Sequence, residues 1–586
     1  MKFSLLRGRV FAICFVGAIL AALAIASYFE LFEAGTPLFF ACFFLFATNS
    51  SYKTTRRERV VFILFSLLFA SMRVVGRSFD LYNSHVLIMK NSVFFFRAAS
   101  AMVALFCCSF SVCRFAYVFL RQLLSPAPIR EQEEPEGLFF LSMAFVLFLG
   151  SIPYLLLYAP GLNIADTRDQ ILQFFGFSSY IGDGSILTDH HPVLTTLIYG
   201  GFMRLGLVFG SANMGQLLYS FTSLFAVSLT FAYLLLVLSR LGMRRNIARG
   251  IAVVYALWPV PALYSFNMGK DSTVIPFVLL FAAQMVFLFF SDEYPNARFY
   301  AGLAINIFFL MALRKSASYC LLFTLLLALP YLQGRRKGMI VAFLSAFLFF
   351  CGYGILLSQL GVIPGETREI LSVPLQQAAR ALRDEEVSET DKENLACFME
   401  LETAAAVYDP RLSDPVKDRT NSDASIENIL SFAKGWVSVG MKNPSCYFQA
   451  WMNIIYGYFY PSNSNTILCL TLNSPEIENL TLSQDSALSG VRLVFHNFIY
   501  FRMRRIPILS ALFFVSGIVF AFLFLFCALW ASRGFYAAVP FGFFLFTLGV
   551  AMLSPKSGEI RYVLPLMYAL PAMLGALSLP SKEVRT

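Results

Sequence analysis

Fourteen apolar stretches recur along this chain, at 10–29, 36–50, 60–75, 98–120, 137–158, 214–239, 248–265, 273–291, 298–312, 318–332, 339–358, 516–531, 535–553 and 560–579. A run of roughly 20 apolar residues is what a helix needs to cross a bilayer, and only helices and closed barrels satisfy their own backbone there. With 58% hydrophobic and 14% charged residues and a mean hydropathy of +0.68, the chain carries more apolar surface than a water-soluble interior hides. The pattern predicts an all-α polytopic membrane protein of about 14 helices, within two. Phe outnumbers Trp by 65 to 4, which suits packed or lipid-facing helices.

The formal charge of +10 does not indicate a nucleic-acid partner, because the basic residues fall in short clusters between apolar runs. Lys53, Arg56, Arg57 and Arg59 follow the second stretch; Arg240, Arg244, Arg245 and Arg249 follow the sixth; Arg335, Arg336 and Lys337 follow the tenth. Placing all three clusters in the cytoplasm puts the N-terminus there as well. Lys2, Arg7 and Arg9 precede an apolar run without a small-residue cleavage site, so the first stretch reads as a retained helix. The same parity requires the apolar segment 193–210 to be a re-entrant or interfacial helix, which is tolerated where protein or a watery cavity covers it.

Two polar stretches then face outward, 159–192 and 359–515. More than half of the chain's 35 acidic residues lie between 365 and 490. Ile370 to Arg380 reads as a short amphipathic helix, Thr420 to Ile426 and Thr471 to Asp485 as loops and turns, and the region as a small helical domain. Val491 to Phe501 has the pattern of an interfacial helix, followed by Arg502, Arg504 and Arg505, which can meet lipid phosphates before Ile506 and Pro507. Cys107, Cys108 and Cys113 are ordinary residues of an apolar helix; among Cys397, Cys446 and Cys469 one disulfide is open, with three possible pairings.

Four places on the outward face carry candidate chemistry. Asp166 and Asp169 stand just past the fifth stretch, as general base toward an acceptor hydroxyl or as solvated loop and helix-capping residues. Asp189, His190 and His191 precede Pro192, where imidazoles can bind a metal, orient a phosphate or relay a proton, or simply introduce the helix that follows. Adjacent residues on an extended chain point apart, so His190 and His191 are not expected to ligate one ion. Lys270 and Asp271 either mark the interface or set a cation against an anionic headgroup and an anion against a metal or sugar hydroxyl. Lys556, Arg561 and Tyr562 lie where the positive-inside rule disfavours cations, so a lipid phosphate or pyrophosphate is their natural partner, with the Tyr562 hydroxyl as a donor to the same group. No phosphate-binding G-x-x-x-x-G-K-S/T loop is present.

Asn163-Ile-Ala-Asp166, Asp189-His-His-Pro-Val-Leu194, Leu257-Trp-Pro259 with Tyr264-Ser265 and Lys270-Asp271, Leu371-Ser-Val-Pro-Leu-Gln-Gln377, and Arg561-Tyr562 with Pro565 together resemble integral-membrane glycosyltransferases of the GT-C fold. They more closely resemble a bacterial family of large multi-spanning proteins without an established activity. The resemblance covers about three quarters of the chain, from about 137 to 580. The first four helices lie outside it. Together with the apolar and charge pattern it gives an expected division into an N-terminal four-helix module (1–120), a GT-C-like core (121–358) with an outer catalytic loop (159–192), an acidic extracytoplasmic domain with interfacial helices (359–515) and C-terminal helices (516–586), in the bacterial cytoplasmic membrane with the site facing outside.

By the same resemblance Asp166 is the catalytic base, and Asp189, His190, Lys270, Asp271 and Arg561 are the nearest matches to groups that contact a metal or the lipid phosphate; the residues themselves add Asp169 to the catalytic pair and Tyr562 and His191 to Lys270 and Arg561 at the donor phosphate, with Asp189, His190 and Asp271 left for a metal or substrate. The donor implied is a polyprenyl-phosphate-linked sugar, and the acceptor a saccharide, glycolipid or protein among membrane lipids. The departure at Asp189-His-His-Pro192 leaves dependence on a divalent metal ion open. The alternative is a transporter or flippase of lipid-linked saccharides, which should show ionisable groups near the midplane or inverted repeats.

Overall fold

A computed structural model describes residues 2–30, 54–125, 134–180, 182, 184–421, 424–462, 471–506 and 509–580. The expected crossing at 36–50, Lys53, Cys469 and Pro507 lie outside the described residues. The chain is almost wholly helical, and each other apolar stretch forms helix.

Among the described residues, eight helices are long and apolar enough to cross a membrane, and nine if one bent pair counts as a span. The fourteen expected crossings are therefore too many by this measure, for two physical reasons. Ala297–Leu313, Ala317–Tyr331 and Phe535–Ala551 are apolar but short; the 17 residues of Ala297–Leu313 rise about 26 Å, against a hydrocarbon thickness of about 30 Å. The stretch 248–265 is not one helix but two, Arg245–Leu257 and Pro259–Ser265, bent by 76°. Pro259 restricts the residue before it, and Trp258 is extended (φ −78°, ψ 115°), with its indole N–H donating to the Leu512 carbonyl at 3.2 Å.

Close approach of backbones sets the packing under the site. The helix Val193–Val208 begins after Pro192 and turns back on Ala212–Arg240. A Cβ on Gly206 would fall 2.1 Å from the Gly215 nitrogen, and one on Gly215 would fall 2.5 Å from the Phe202 carbonyl oxygen. Small residues let these helices touch, as in membrane helix pairs generally.

Residues 359–515 contain the expected helices. Ser372–Asp384, Glu389–Ala396, Ile426–Lys442 and Pro444–Phe459 enclose a separate core that includes Leu375, Leu395, Phe398, Phe432 and Val439. The last of these helices runs on to pack against Arg56–Tyr82, burying Met452, Ile455 and Tyr456 against Phe79. Asn83 ties the two further, its carbonyl accepting from Arg380 at 3.1 Å and Asn453 at 2.9 Å. The N-terminal helices thus support the polar domain.

Cys397 and Cys446 are both free thiols, so they do not pair with each other. Helix Ser489–Asn497 and the turn after it expose Val491, Leu493, Val494, Phe498 and Phe501, but Arg504 departs from the expected lipid-facing cluster. Its guanidinium is buried over the Tyr500 and Phe514 rings and donates to the Phe513 carbonyl at 3.0 Å.

Candidate functional site

Two short strands position the first two charged groups. β1 (Leu162–Asn163) and β2 (Asn267–Met268) pair in parallel, with Leu162 opposite Asn267 and Asn163 opposite Met268. Each strand runs directly into a helix, Ala165–Phe174 after β1 and Lys270–Thr273 after β2. Asp166 lies in the first turn of one and Lys270 opens the other, so the ladder sets their side chains together. The Asn163 side chain fixes β1 from outside, accepting from the Asn473 N–H at 2.6 Å and donating to its carbonyl at 3.0 Å. Tyr199 and Tyr219 each contact the Thr273 hydroxyl at 2.7 Å and hold the short helix from below.

Asp166 Oδ2 lies 3.1 Å from Lys270 Nζ and 3.2 Å from Arg561 Nη1. Arg561 comes from the first turn of Ile560–Ser578, and its Nε is 3.7 Å from Glu559, which also pairs with Lys556 at 2.6 Å. Three helix N-termini therefore converge on one carboxylate. Burial alone would raise the Asp166 carboxyl, but Lys270 and Arg561 outweigh it and hold it well below the usual carboxylate range. Asp169, one turn further on, is outside this ion cluster; burial and the nearby Asp166 charge raise its carboxyl despite Arg168.

Lys270 Nζ also lies 3.1 Å from His191 Nδ1. Burial, then the Lys270 charge, holds His191 well below its usual value, so its neutral ring accepts from the ammonium. His191 is thereby placed to orient Lys270. Tyr562 packs its ring beside the Arg561 guanidinium, 5.6 Å from centroid to carbon, and its carbonyl accepts from Arg314 at 3.1 Å.

Two of the expected metal or substrate groups are engaged by cations that sequence reasoning passed over. Asp271 is buried 3.7 Å from Arg314, and Asp189 lies 2.8 Å from Lys315 while its other oxygen accepts from the Val193 N–H at 3.4 Å. Asp189 thus meets the first free N–H of the helix that follows, whose N-cap is Pro192. Arg314 and Lys315 were detectable: parity places them on the outward face, where cations are disfavoured, the same signal that singled out Lys556 and Arg561.

His190 takes a different direction from His191. The two rings touch edge to face at 4.7 Å, on a bent chain and not the extended one expected. While His191 meets Lys270, His190 gathers with Glu366 and Glu369, whose ligand atoms and its own all lie within 4.8 Å of one another. One imidazole and two carboxylates at this spacing can hold a divalent metal ion. Burial lowers the His190 value and keeps its lone pair available, against the opposing pull of Glu369. Glu369, raised by burial, is brought net below its ordinary value by Lys417 at 2.8 Å. The pair Glu366 and Glu369 was missed because nothing local ties it to a histidine far away in the chain.

Apolar helices whose polar ends assemble into a paired-charge cluster, beside a half-buried His/Glu/Glu group, define a multi-spanning membrane protein with a polar site at one end of its bundle. The chain belongs to a family of unknown function, DUF6020, whose model matches residues 182–586. That span includes His190, Lys270, Arg314, Glu366, Glu369 and Arg561; Asp166 precedes it. No curated protein and no solved structure is matched.

Proposed function

We propose that this protein transfers a sugar from a polyprenyl-phosphate donor to a hydroxyl of an envelope glycan, glycolipid or protein, on the extracytoplasmic face of a bacterial membrane. The observation that carries the reading is the Asp166 carboxylate shared by Lys270 and Arg561 at 3.1 and 3.2 Å, where the side chains keep 19 to 25% of their surface exposed. Such a cluster offers a phosphate two cations and an acceptor hydroxyl one carboxylate, all at helix N-termini.

The resting ion pairs make Asp166 a weak base. A donor phosphate that draws Lys270 and Arg561 toward itself removes the charges that hold the carboxyl low, so its proton affinity rises as the donor arrives. The acceptor oxygen then attacks the anomeric carbon, its proton passes to Asp166, and the bond from that carbon to the phosphate oxygen breaks. The electron pair leaves on the polyprenyl phosphate, whose charge Lys270 and Arg561 neutralise. Direct displacement inverts the anomeric centre. His191 keeps Lys270 aimed, and Asp169, with its raised carboxyl, is placed to pass the proton onward. His190, Glu366 and Glu369 would hold a divalent ion, which supplies positive charge to this side of the site when bound.

The test is release of polyprenyl phosphate from a radiolabelled polyprenyl-phosphate sugar by the purified protein in lipid vesicles, with permeabilised envelope fraction as acceptor. Release and label transfer that depend on Asp166 support the reading. Donor left intact by well-folded protein across the common hexose and pentose donors removes it.

A further inference from the structure

We propose that His190, Glu366 and Glu369 bind a first-row divalent cation of the Mn²⁺ or Zn²⁺ kind, which clasps the loop before Pro192 to the start of the polar helical domain and faces a cavity of about 420 Å³. The ligands come from two segments already joined by backbone. Thr188 and Ile363 form a parallel bridge, with the Asp189 N–H donating to the Ile363 carbonyl at 2.7 Å and the Ile363 N–H to the Leu187 carbonyl at 2.9 Å. Gly365 allows the closest approach, since a Cβ there would sit 2.8 Å from the Asp189 carbonyl oxygen. The Thr188 end is fixed in turn by Gln173, whose amide donates to the Thr188 carbonyl at 3.2 Å and hydroxyl at 3.0 Å. Main-chain pairing thus brings the two segments together, while Arg368 against Glu366 and Lys417 against Glu369 hold the carboxylates.

The chemistry of the set selects the ion. Mg²⁺ and Ca²⁺ favour all-oxygen surroundings, whereas an imidazole beside two carboxylates suits Mn²⁺ or Zn²⁺. Lys417 takes one oxygen of Glu369 at 2.8 Å, and a carboxylate has a second to give. Three protein ligands leave a coordination position open, as in metal sites that accept a ligand. His190 and Glu366 line the cavity together with Thr188 and Arg368 on its polar side and Ile186 and Ile363 on its apolar side, so that position opens onto a mixed polar and apolar space. Its volume lies in the range of small-molecule sites, and a hydroxyl or phosphoryl oxygen is the ligand class it would take. The edge contact between His190 and His191 leaves two imidazole rings between this cation and Lys270.

The experiment uses full-length protein in detergent, stripped with chelator and titrated with MnCl₂ alone, the bound ion read by electron paramagnetic resonance and the unfolding midpoint by heating. One saturable equivalent is expected, bound at least tenfold more tightly than Mg²⁺, with a raised midpoint and slowed proteolysis between 363 and 369. His190→Gln and Glu366→Gln should each weaken Mn²⁺ binding at least tenfold and abolish the rise in midpoint. Absence of saturable binding, or binding unchanged in both variants, overturns the proposal. No sugar donor enters the assay, so its outcome is separate from that of the transferase reading.

Discussion

Lys270 bridges Asp166 and His191, with its ammonium 3.1 Å from an oxygen of the first and 3.1 Å from Nδ1 of the second. A cation placed between a carboxylate and a neutral imidazole is oriented from two sides. An incoming anion therefore meets it already aimed, and competes with only one full negative charge for it.

Asp166→Asn should reduce sugar transfer by about 10²- to 10⁴-fold, the range of a lost general base. It should also cost about 1–3 kcal/mol of stability by leaving two cations facing each other, less than in a fully buried pair because a quarter of each side chain is exposed. Asp169→Asn should slow transfer while leaving the unfolding midpoint within about 0.5 kcal/mol of the parent, since Asp169 lies outside the ion cluster. Initial rates and thermal unfolding on matched preparations separate the two; equal stability losses would contradict the cluster's asymmetry.

Arg561→Lys should keep much of the charge but lose the fork that reaches Asp166 and Glu559 together, at 3.2 and 3.7 Å. The half-saturating donor concentration should rise about tenfold with Arg561→Lys and further with Arg561→Ala. Unchanged donor dependence in both would remove Arg561 from phosphate recognition.

Asp391 gives the polar domain a defined acid sensitivity. Lys442 at 2.6 Å, then Ser388 at 2.7 Å, bring its carboxyl down to about 2. The folded value is below the unfolded one of about 3.9, so this stabilisation is complete above about pH 5 and disappears as pH falls through 2. It amounts to about 1–2 kcal/mol once the exposure of Lys442 is allowed for. Asp391→Asn should destabilise at pH 7 by that amount, by progressively less as pH falls below about 5, and by nothing below about pH 1, as followed by circular dichroism.

Gly215→Ala should lose about 1–3 kcal/mol, because its methyl would drive into the Phe202 carbonyl 2.5 Å away. Gly201→Ala, with nothing within 4 Å, should instead gain about 0.5–1 kcal/mol of helix preference. Thermal unfolding in detergent decides between them, and the opposite order would contradict the helix contact.

The helices were legible because hydrophobic runs of this length have few other solutions, and the break at Trp258 was latent in the Trp258-Pro259 step. The number of crossings was not, since Ala297–Leu313 and Ala317–Tyr331 are as apolar as true spans and differ in length alone. Asp166, Lys270 and Arg561 could be named from the polar breaks between apolar stretches, yet their contact could not. It depends on a ladder only two residues long on each side, below any sequence periodicity. Glu366 looked like one acid among many until the fold placed it beside His190.

That ladder also indexes the chain. Because Asn163 and Met268 are locked opposite each other, removing one residue between Asn163 and Asp166 would turn the following helix by about 100° and carry the carboxylate away from its cations. Side-chain replacement can be absorbed there by repacking, but a change in spacing cannot, so the intervals 163–166 and 268–270 are where insertions and deletions should be least tolerated.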